Sequence, residues 1–440
     1  MRKRLCVLAA LPVAVLLAGC GGGASSGGNG GGTGGGGNSN PTTVTFTFQG
    51  ALPAAVAAKI GSGSFTAQTV SSGTLTLSIP SGTTTLAVVY LCPAYTETAG
   101  PSQFQINQEV VNEVSTADGT QFYGSCPQAP ATGQTGTLTA SVDASAVPGV
   151  SILDLDAVNG SNTAAELAAT ATASFSFAAP AGTDRVELFA FNQQITPEEG
   201  FLTLVAAKDF SGQAVPGALN GGSTVALGAA DEVTAEPITY ANVPSGYSAP
   251  TTEVTFNVNG SHGVIIEDAA SNSYPALPVS AVESGDTYLL MAHANDSSNI
   301  ANEVMCEQTT SSAGPASFTF PTPWTYAGPT AAALPTFTFA YTGFSGSAAI
   351  TDVASLFWSP SSTMQDAFVV TASTNYLSGS TSLAMPDLSG VAGFLPAPVS
   401  GTSVSWGASV NQGIPGVAQA SLSPNETSST VTTGGRFMVP

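Results

Sequence analysis

The sequence contains a long internal repeat, and the period of that repeat limits the choice of fold. Residues 73–90 read GTLTLSIPSGTTTLAVVY, and residues 173–190 read ASFSFAAPAGTDRVELFA. Each copy places an alternating segment before a Pro-x-Gly turn and an apolar segment after it, and the prolines, Pro80 and Pro180, lie 100 residues apart. A unit of this length is too long for a solenoid repeat. It has the size of one antiparallel β-sandwich.

Apolar and polar residues alternate in many other segments of the chain. The opening segment VTFTF at residues 44–48 returns as VTFNV at residues 254–258, and residues 336–340 read TFTFA. A period of two, bounded by Pro and Gly, predicts half-buried strands. We therefore predict an all-β fold, with short helices only in the Ala-rich segments 53–60 and 164–170.

Segments rich in Pro and Gly divide the folded part into four predicted modules. The modules are residues 41–134, 135–249, 250–332 and 333–440. They resemble bacterial Ig-like domains in general, so we expect tandem Ig-like or fibronectin-like β-sandwiches, although the Cys-Trp-Cys pattern of antibody domains is missing. The second pair is expected to repeat the first, giving a rod whose halves, 41–249 and 250–440, fold separately.

The first forty residues predict export and anchoring. A basic start and an apolar run over residues 5–16 precede Leu17-Ala18-Gly19-Cys20, and this run is too short to span a bilayer. The four residues resemble the lipobox of bacterial lipoprotein precursors. The resemblance implies a signal peptide over residues 1–19, a lipid on Cys20 and a membrane held through that lipid. Residues 20–40, nearly all Gly, Ser and Asn, predict a disordered tether.

The residue after the anchor, Gly21, bears on localisation. In lipoproteins of bacteria with two membranes, Asp at this place is the usual signal for retention in the inner membrane. By that resemblance we expect a protein of the cell envelope, held at the outer membrane where the source has two membranes.

Charged residues are scarce and mostly acidic. After residue 19 the chain has 28 acidic residues and four basic ones, Lys59, Arg185, Lys208 and Arg436. Binding to nucleic acid or to anionic lipid headgroups needs clustered Lys and Arg, so we expect neither. An envelope protein or a glycan remains the expected kind of partner.

Three cysteines remain beyond the anchor, Cys92, Cys126 and Cys306, in a compartment that permits disulfides. An odd number leaves one thiol over. Cys92 and Cys126 end apolar segments of the same module, so we predict that they are bonded. Cys306 has no counterpart in the repeat and is predicted to be buried and reduced.

Residues that could support catalysis or metal binding are few. The histidines, His262 and His293, lack a second histidine or a Cys-x-x-Cys at ligand spacing, so no zinc site and no cofactor is expected. Among the acidic pairs, Asp154 and Asp156 are the best candidates for calcium, with solvated turn residues as the alternative.

A second kind of acidic pair repeats between modules. Glu109 and Glu113 lie in INQEVVNE, and Glu303 and Glu307 lie in IANEVMCE. In each pair the two residues share one face, whether the segment is a helix or a strand. Duplication of a fold accounts for the repetition without a function.

One aromatic pair suggests a ligand surface. Trp324 and Tyr326 alternate around Thr325, so in a strand both rings point to one side. Exposed, they would stack on a sugar; buried, they would belong to a core. We expect a non-catalytic envelope lipoprotein that presents its modules for adhesion, binding or scaffolding. The alternative is an envelope enzyme or carbohydrate-binding accessory protein that uses the paired carboxylates and these aromatic residues.

Overall fold

The computed structural model describes residues 41–99, 102–127, 135–157, 162–166, 172–195, 200–258, 262–269, 271–344, 349–413 and 426–440. The predicted all-β fold is confirmed, because strands make up nearly all of the regular structure. None of the helices in these ranges has the length and hydrophobicity of a membrane-spanning segment.

The strands follow one another through the four predicted modules. The first module contains β1 (Thr42–Gly50), β2 (Ala55–Ile60), β3 (Thr66–Ala67), β4 (Thr74–Ile79), β5 (Thr85–Leu91), β6 (Tyr95–Ala99), β7 (Ser102–Ser115) and β8 (Gln121–Cys126). The second contains β9 (Thr135–Asp143), β10 (Ile152–Ala157), β11 (Asn162–Glu166), β12 (Thr172–Pro180), β13 (Gly182–Ile195), β14 (Gly200–Val215), β15 (Gly217–Ala218), the 3-10 turn Leu219–Gly222, β16 (Val225–Ala226) and β17 (Thr234–Ala241).

The other two modules have the same kind of content. The third contains β18 (Thr251–Val258), β19 (His262–Ala269), β20 (Ser273–Ala276), the 3-10 turn Val279–Ala281, β21 (Thr287–Asn295), β22 (Glu303–Thr310) and β23 (Ala316–Thr319). The fourth contains β24 (Thr336–Thr338), β25 (Ile350–Ser361), β26 (Met364–Ser373), the short helix α1 (Thr374–Leu377), β27 (Ser382–Ala384), β28 (Ser403–Gln412) and β29 (Thr427–Met438).

One sheet of 17 strands passes through all four modules. Its strands are hydrogen-bonded in the order β3-β2-β5-β7-β26-β25-β28-β29-β22-β21-β18-β19-β14-β13-β10-β11, and β6 lies beside β7 on the same edge as β5. Smaller sheets are β4-β1-β8, β12-β9-β15 with β16 beside β9, β20-β17-β23 and β24-β27. The repeated segments occupy equivalent places, because β4 and β12 lie in small sheets while β5 and β13 lie in the long one.

The burial of β5 shows how the long sheet is used. Leu86, Val88 and Tyr90 pack into a core with the small sheet β4-β1-β8. Ala87 and Val89 point the other way, into a larger core that also contains residues of every other module. A strand buried on both faces reads as a continuous apolar run rather than an alternating one, which accounts for the sequence TLAVVYL.

The strand pairing does not follow the two predicted halves, so their separate folding stays a prediction against which this pairing argues. Strand β7 of the first module pairs in parallel with β26 of the fourth, from Gln105 opposite Met364 to Glu113 opposite Ala372. Strand β22 of the third module pairs with β29 of the fourth. The fourth module is therefore built between the first and the third, and cutting the chain at residue 250 would expose hydrogen-bonded strand edges on both pieces.

The four module boundaries stay a proposal, and the pairing of β17 does not follow the boundary at residue 250. This strand lies before the boundary at residue 250, yet its partners in the small sheet are β20 and β23. The third sandwich thus takes one strand from the chain that precedes it.

The Ala-rich segment 53–60 is also not helical. Its residues 55–60 form β2, in which Val56, Ala57 and Ala58 are buried against neighbouring strands. Burial between strands outweighs the modest helix propensity of Ala, which is worth a few tenths of a kcal/mol per residue. In the second Ala-rich segment, residues 164–166 belong to β11, and residues 167–170 lie outside the described residues.

The predicted disulfide is confirmed. Cys92, just after β5, is bonded to Cys126 at the end of β8, so the bond joins the long sheet to the small sheet of the first module. It closes a loop of 34 residues, which stabilises the fold by about 3–4 kcal/mol in the chain-entropy account. Cys306 is buried and free, as predicted, and its thiol donates to the Thr319 carbonyl at 3.2 Å.

Candidate functional site

A cleft of about 620 Å³ opens where the third and fourth modules meet. Its walls are a turn before β18, the loop between β21 and β22, the segment between β23 and β24, and the strands β28 and β29. The lining residues are Ser245, Tyr247, Asp296, Asn299, Asn302, Pro323, Trp324, Thr325, Tyr326, Ala327, Trp406, Thr433, Gly434, Gly435 and Arg436. The volume lies in the range of ligand-binding clefts.

The predicted aromatic pair lies in this cleft, although its backbone is not a strand. Residues 321–330 form an extended connection without strand pairing. The rings of Trp324 and Tyr326 stack on each other, with centroids 5.0 Å apart and planes 6° apart, and Phe339 covers the other side of Trp324 at 5.4 Å. Because Trp324 is only 7% exposed, it supports the cleft wall rather than offering an open stacking face.

A third aromatic residue, Trp406 of β28, forms the floor. Its ring meets Tyr326 edge-on at 5.6 Å, and its neighbour across the strand pair is Gly435 of β29. A Cβ at Gly435 would lie 2.9 Å from the indole ring, and one at Gly328, where φ is +90°, would lie 2.5 Å from it. Glycine at these places lets the backbone approach the indole closely and keeps the cleft open.

The opposite wall is a loop held by Asp296. The carboxylate accepts hydrogen bonds from the Ser298 backbone N–H at 2.8 Å, from the Ser298 hydroxyl at 2.7 Å and from the Asn302 amide at 3.3 Å. The hydrogen bonds from Ser298 hold the pKa of Asp296 below its ordinary value. The Thr433 hydroxyl of β29 then donates to Asn302 Oδ1 at 2.7 Å. This loop is therefore fixed to the strand that carries Arg436.

The predicted calcium residues lie elsewhere, in the second module. Asp154 and Asp156 share one face of β10, and Asp156 is opposite Glu187 of β13. Burial, with the charge of Asp156 second, raises the pKa of Asp154 to about 6. In the described ranges no three His, Cys, Asp or Glu side chains are arranged to hold a metal ion, so calcium at this pair stays a prediction.

A buried arginine on β13 joins the second module to the third. Arg185 donates from both Nη atoms to the two carboxylate oxygens of Asp286 at 2.8 Å, and its Nε donates to Asp209 at 2.6 Å. Glu187 Oε1 lies 2.6 Å from the guanidinium, and Glu283 lies at its edge at 3.6 Å. Burial raises the pKa of Glu187 to about 9 in spite of Arg185 beside it. This cluster is an electrostatic joint in the fold, because Arg185, Glu187 and Asp286 at its centre are buried.

The repeated acidic pairs lie on the two strands that hold the fourth module. Glu109 and Glu113 belong to β7, which pairs with β26, and Glu303 and Glu307 belong to β22, which pairs with β29. Glu109 accepts from the Leu395 N–H at 2.8 Å, and Glu113 accepts from the Tyr376 hydroxyl at 3.1 Å.

On β22 the contacts are of the same kind. Glu307 accepts from the Ser428 hydroxyl at 2.8 Å, and Glu303 lies 3.0 Å from His293 Nδ1. Glu109, Glu113 and Glu307 thus contact the fourth module, whereas Glu303 contacts His293 within the third, and duplication as the origin of the repetition stays a prediction. Cys20 and the side chain of His262 lie outside the described residues.

Comparisons with known proteins give no family. No family model matches the chain, and no curated protein matches it. Among solved structures, the chain is similar to the Bacillus anthracis TIE protein, with 13% identity over 64% of this chain and 50% of that one and a TM-score of 0.15. It thus spans half the length of that protein.

Two adhesins are also similar. One is a Ca²⁺-stabilised adhesin that helps an Antarctic bacterium bind ice, with 13% identity, 91% and 94% coverage of the two chains and a TM-score of 0.13. The other is the pilus adhesin SpaC of Lactobacillus rhamnosus GG, with 9% identity, 76% and 44% coverage and a TM-score of 0.13. TM-scores this low carry no argument about function.

Sequence reasoning found two residues of the cleft and missed the rest. Trp406, Asn302 and Arg436 come from segments far from Trp324 along the chain. One signal was present: Gly434 and Gly435 lie together inside a strand. Glycine inside a strand marks a place where another group approaches the backbone closely.

Proposed function

We propose that the chain is a lipid-anchored, non-catalytic binding protein of the cell envelope, and that the cleft between the third and fourth modules is its binding surface. One observation carries the proposal: the cleft is polar, open and rigidly framed, with aromatic rings supporting its floor. The hydroxyl and amide groups of its lining can donate and accept hydrogen bonds to a polar ligand. Adhesion is the role that a tethered binding surface of this kind best fits.

The enzyme alternative has less support at this place. Glycoside hydrolysis uses two carboxyl groups on either side of the scissile bond. Of the described residues that line the cleft, Asp296 alone is a carboxylate, and its oxygens already hold the loop. The carboxylate pairs at β7, β10 and β22 are closed into joints and core instead.

The anchor is tested at Cys20. Replacing Cys20 with Ala should abolish palmitate labelling and leave residues 1–19 on the protein, because the thiol is the proposed site of lipid attachment. Labelling, mass spectrometry and membrane fractionation check this result. Cys6→Ala is the matched control, because Cys6 lies in the segment that is removed. Undiminished labelling of the Cys20 variant would contradict the proposed anchor.

The cleft is tested by filling it. Ser245 is exposed and lines the cleft, so Ser245→Trp should exclude a ligand without disturbing the core. We expect binding to a panel of immobilised bacterial and plant polysaccharides to fall at least about tenfold, which corresponds to 1.4 kcal/mol of lost contact. Ser81→Trp places the same side chain on an exposed turn of the first module and should bind normally. Equal binding by the wild type and both variants would move the binding surface away from the cleft.

A further inference from the structure

The cleft presents two charged side chains of opposite sign. Among the described residues that line it, Asp296 is the acidic one and Arg436 the basic one. The Asp296 carboxylate accepts hydrogen bonds from Ser298 and Asn302, and Arg436 has an interaction of its own within the protein. Both charges are therefore already engaged and balance each other, so the described lining has no surplus charge with which to hold an ion.

The charge of the whole chain also disfavours an ionic ligand at this place. After residue 19 the chain has 28 acidic and four basic residues, and such an excess of negative charge repels an anion. A cation would be attracted to carboxylates in every module, and in the cleft it would meet Arg436. An uncharged ligand is therefore the kind that this cleft can bind selectively.

Three hydroxyl groups of the lining are available to such a ligand. They belong to Ser245, Tyr247 and Thr325, and none of these hydroxyls forms a hydrogen bond within the described part of the chain. Ser245 and Thr325 are exposed, and Tyr247 is half-buried. A hydroxyl group can both donate and accept a hydrogen bond, so these three match a ligand whose own hydroxyls do the same.

Apolar surface lies beside these hydroxyls. Pro323, Tyr326 and Ala327 line the same cleft. The ring of Tyr326 is held between Trp324, stacked on it at 5.0 Å, and Trp406, edge-on at 5.6 Å. A sugar carries C–H groups as well as hydroxyls, and its C–H groups gain by leaving water for an apolar surface. The lining therefore offers contacts to both kinds of group on a sugar.

A peptide that binds by strand addition is a poorer fit at this place. Such a peptide extends a sheet and needs a free strand edge. Strand β28 is hydrogen-bonded to β25 and β29, and β29 is hydrogen-bonded to β28 and β22. Both edges of each strand are thus occupied along these paired residues.

We propose that the cleft binds a neutral glycan, whose hydroxyls exchange hydrogen bonds with Ser245, Tyr247 and Thr325 while its C–H groups lie against Tyr326. This inference rests on the proposed function, since it names the ligand class of the same cleft. It commits to a glycan without charge, as opposed to a polymer of uronic acids or of amino sugars.

The test compares neutral and charged oligosaccharides of equal length. Titration calorimetry with the full mature chain uses oligomers of cellulose, laminarin, amylose and mannan as the neutral probes, oligogalacturonate as the acidic probe and oligomeric chitosan as the cationic one. We expect at least one neutral oligosaccharide to bind at least about tenfold more tightly than either charged one. Raising the NaCl concentration from about 20 to about 500 mM should leave that affinity unchanged, because no charge pair forms.

The three hydroxyls are tested by variants that remove little else. Thr325→Val and Tyr247→Phe should each lower the affinity for the neutral oligosaccharide by about 2- to 10-fold, the range for a hydrogen bond between neutral groups. Thr330→Val is the matched control, because Thr330 is exposed on the same connection and lies outside the cleft lining. It should bind like the wild type. Circular dichroism spectra equal to that of the wild type show that the variants are folded.

The outcomes separate this inference from the proposed function. Tighter binding of a charged oligosaccharide than of every neutral one, or no binding of any neutral one, would overturn the neutral glycan. If Ser245→Trp still abolishes binding to the polysaccharide panel, the cleft remains the binding surface and only the ligand class is wrong. Binding of a neutral oligosaccharide that Ser245→Trp leaves unchanged would contradict the proposed function itself. Full affinity in both Thr325→Val and Tyr247→Phe would overturn the role of the hydroxyls.

Discussion

Arg185→Met should lower the free energy of unfolding by about 3–5 kcal/mol at neutral pH, the cost of leaving buried charges without their partner. Arg185 is 7% exposed, and the Asp286 that it binds through two hydrogen bonds is 2% exposed. Methionine fills much of the same volume but cannot donate hydrogen bonds to the carboxylates. The carboxylates of Asp286 and Asp209 would then remain buried close to each other, without a counter-ion.

The position of this arginine makes the effect large. Arg185 and Asp286 are 101 residues apart in sequence and belong to the second and third modules. The pairing of β14 with β19 between these modules is short, with one register pair, Thr203 opposite Glu267. The guanidinium therefore adds a buried polar contact to this short strand pairing and to the apolar core that the two modules share.

Urea unfolding of the unacylated mature chain, followed by circular dichroism, measures this effect. The control is Lys208→Met, because the ion pair of Lys208 with Asp231 is partly exposed and such pairs contribute about 0–1 kcal/mol. Adding Asp286→Asn to the Arg185 variant should restore part of the lost free energy of unfolding, since it removes one of the buried charges left without a counter-ion. A change of less than about 1 kcal/mol in Arg185→Met would show that solvent reaches the cluster.

The second large effect expected is a loss of stability as the pH rises from about 5 to 9. Burial raises the pKa of Glu109 to about 7, against the Leu395 N–H that lowers it, and burial raises the pKa of Asp352 to about 7. The folded state therefore holds protons that the unfolded state has released. Stability from these groups is complete below their unfolded pKa values, near 4, and is lost as the pH rises through 7.

The magnitude follows from the size of the shifts. One pKa unit corresponds to 1.36 kcal/mol, and each of these raised pKa values lies about two units above pH 5, so Glu109 and Asp352 each account for about 2–3 kcal/mol over the measured range. Glu187, with its pKa near 9, extends the loss further into the alkaline range. The direction is opposite to that of a protein whose carboxylates are stabilised by salt bridges.

Unfolding by urea at pH 5, 7 and 9 provides the measurement. Glu109→Gln keeps an acceptor for the Leu395 N–H but cannot ionise, so its stability should fall less steeply and exceed that of the wild type at pH 9. Glu232→Gln is the control, because Glu232 is exposed and its replacement should leave the slope unchanged. Stability that rises from pH 5 to pH 9 would contradict the assignment of buried, protonated carboxylates.

Much of the local structure followed from the sequence. The period of two predicted the strands, the repeat predicted equivalent places for β5 and β13, and the cysteine positions predicted which pair is bonded and which thiol is buried. The strands and the repeated segments depend on residues close in sequence, and the disulfide depends on a choice among few cysteine pairs. Alternation sets which face a strand buries, and three cysteines allow only three pairings.

The order of strands in the long sheet could not be obtained in this way. Every strand edge offers the same row of N–H and C=O groups, so no local pattern states that β7 pairs with β26 or that β22 pairs with β29. The repeat suggested two similar halves. A repeated sequence, however, carries no information about which strand edges are hydrogen-bonded to each other. Packing of the shared core decided the pairing.

The cleft also depends on the tertiary structure. The sequence determined that the chain is all-β, acidic and poor in residues for metal or nucleophilic chemistry, and that Trp324 and Tyr326 lie near each other. Only the tertiary structure placed Trp406, the Asp296 loop and Arg436 around them, because β29 reaches this place through its pairing with both β28 and β22. The cleft between the third and fourth modules exists only once those long-range strand pairings have formed.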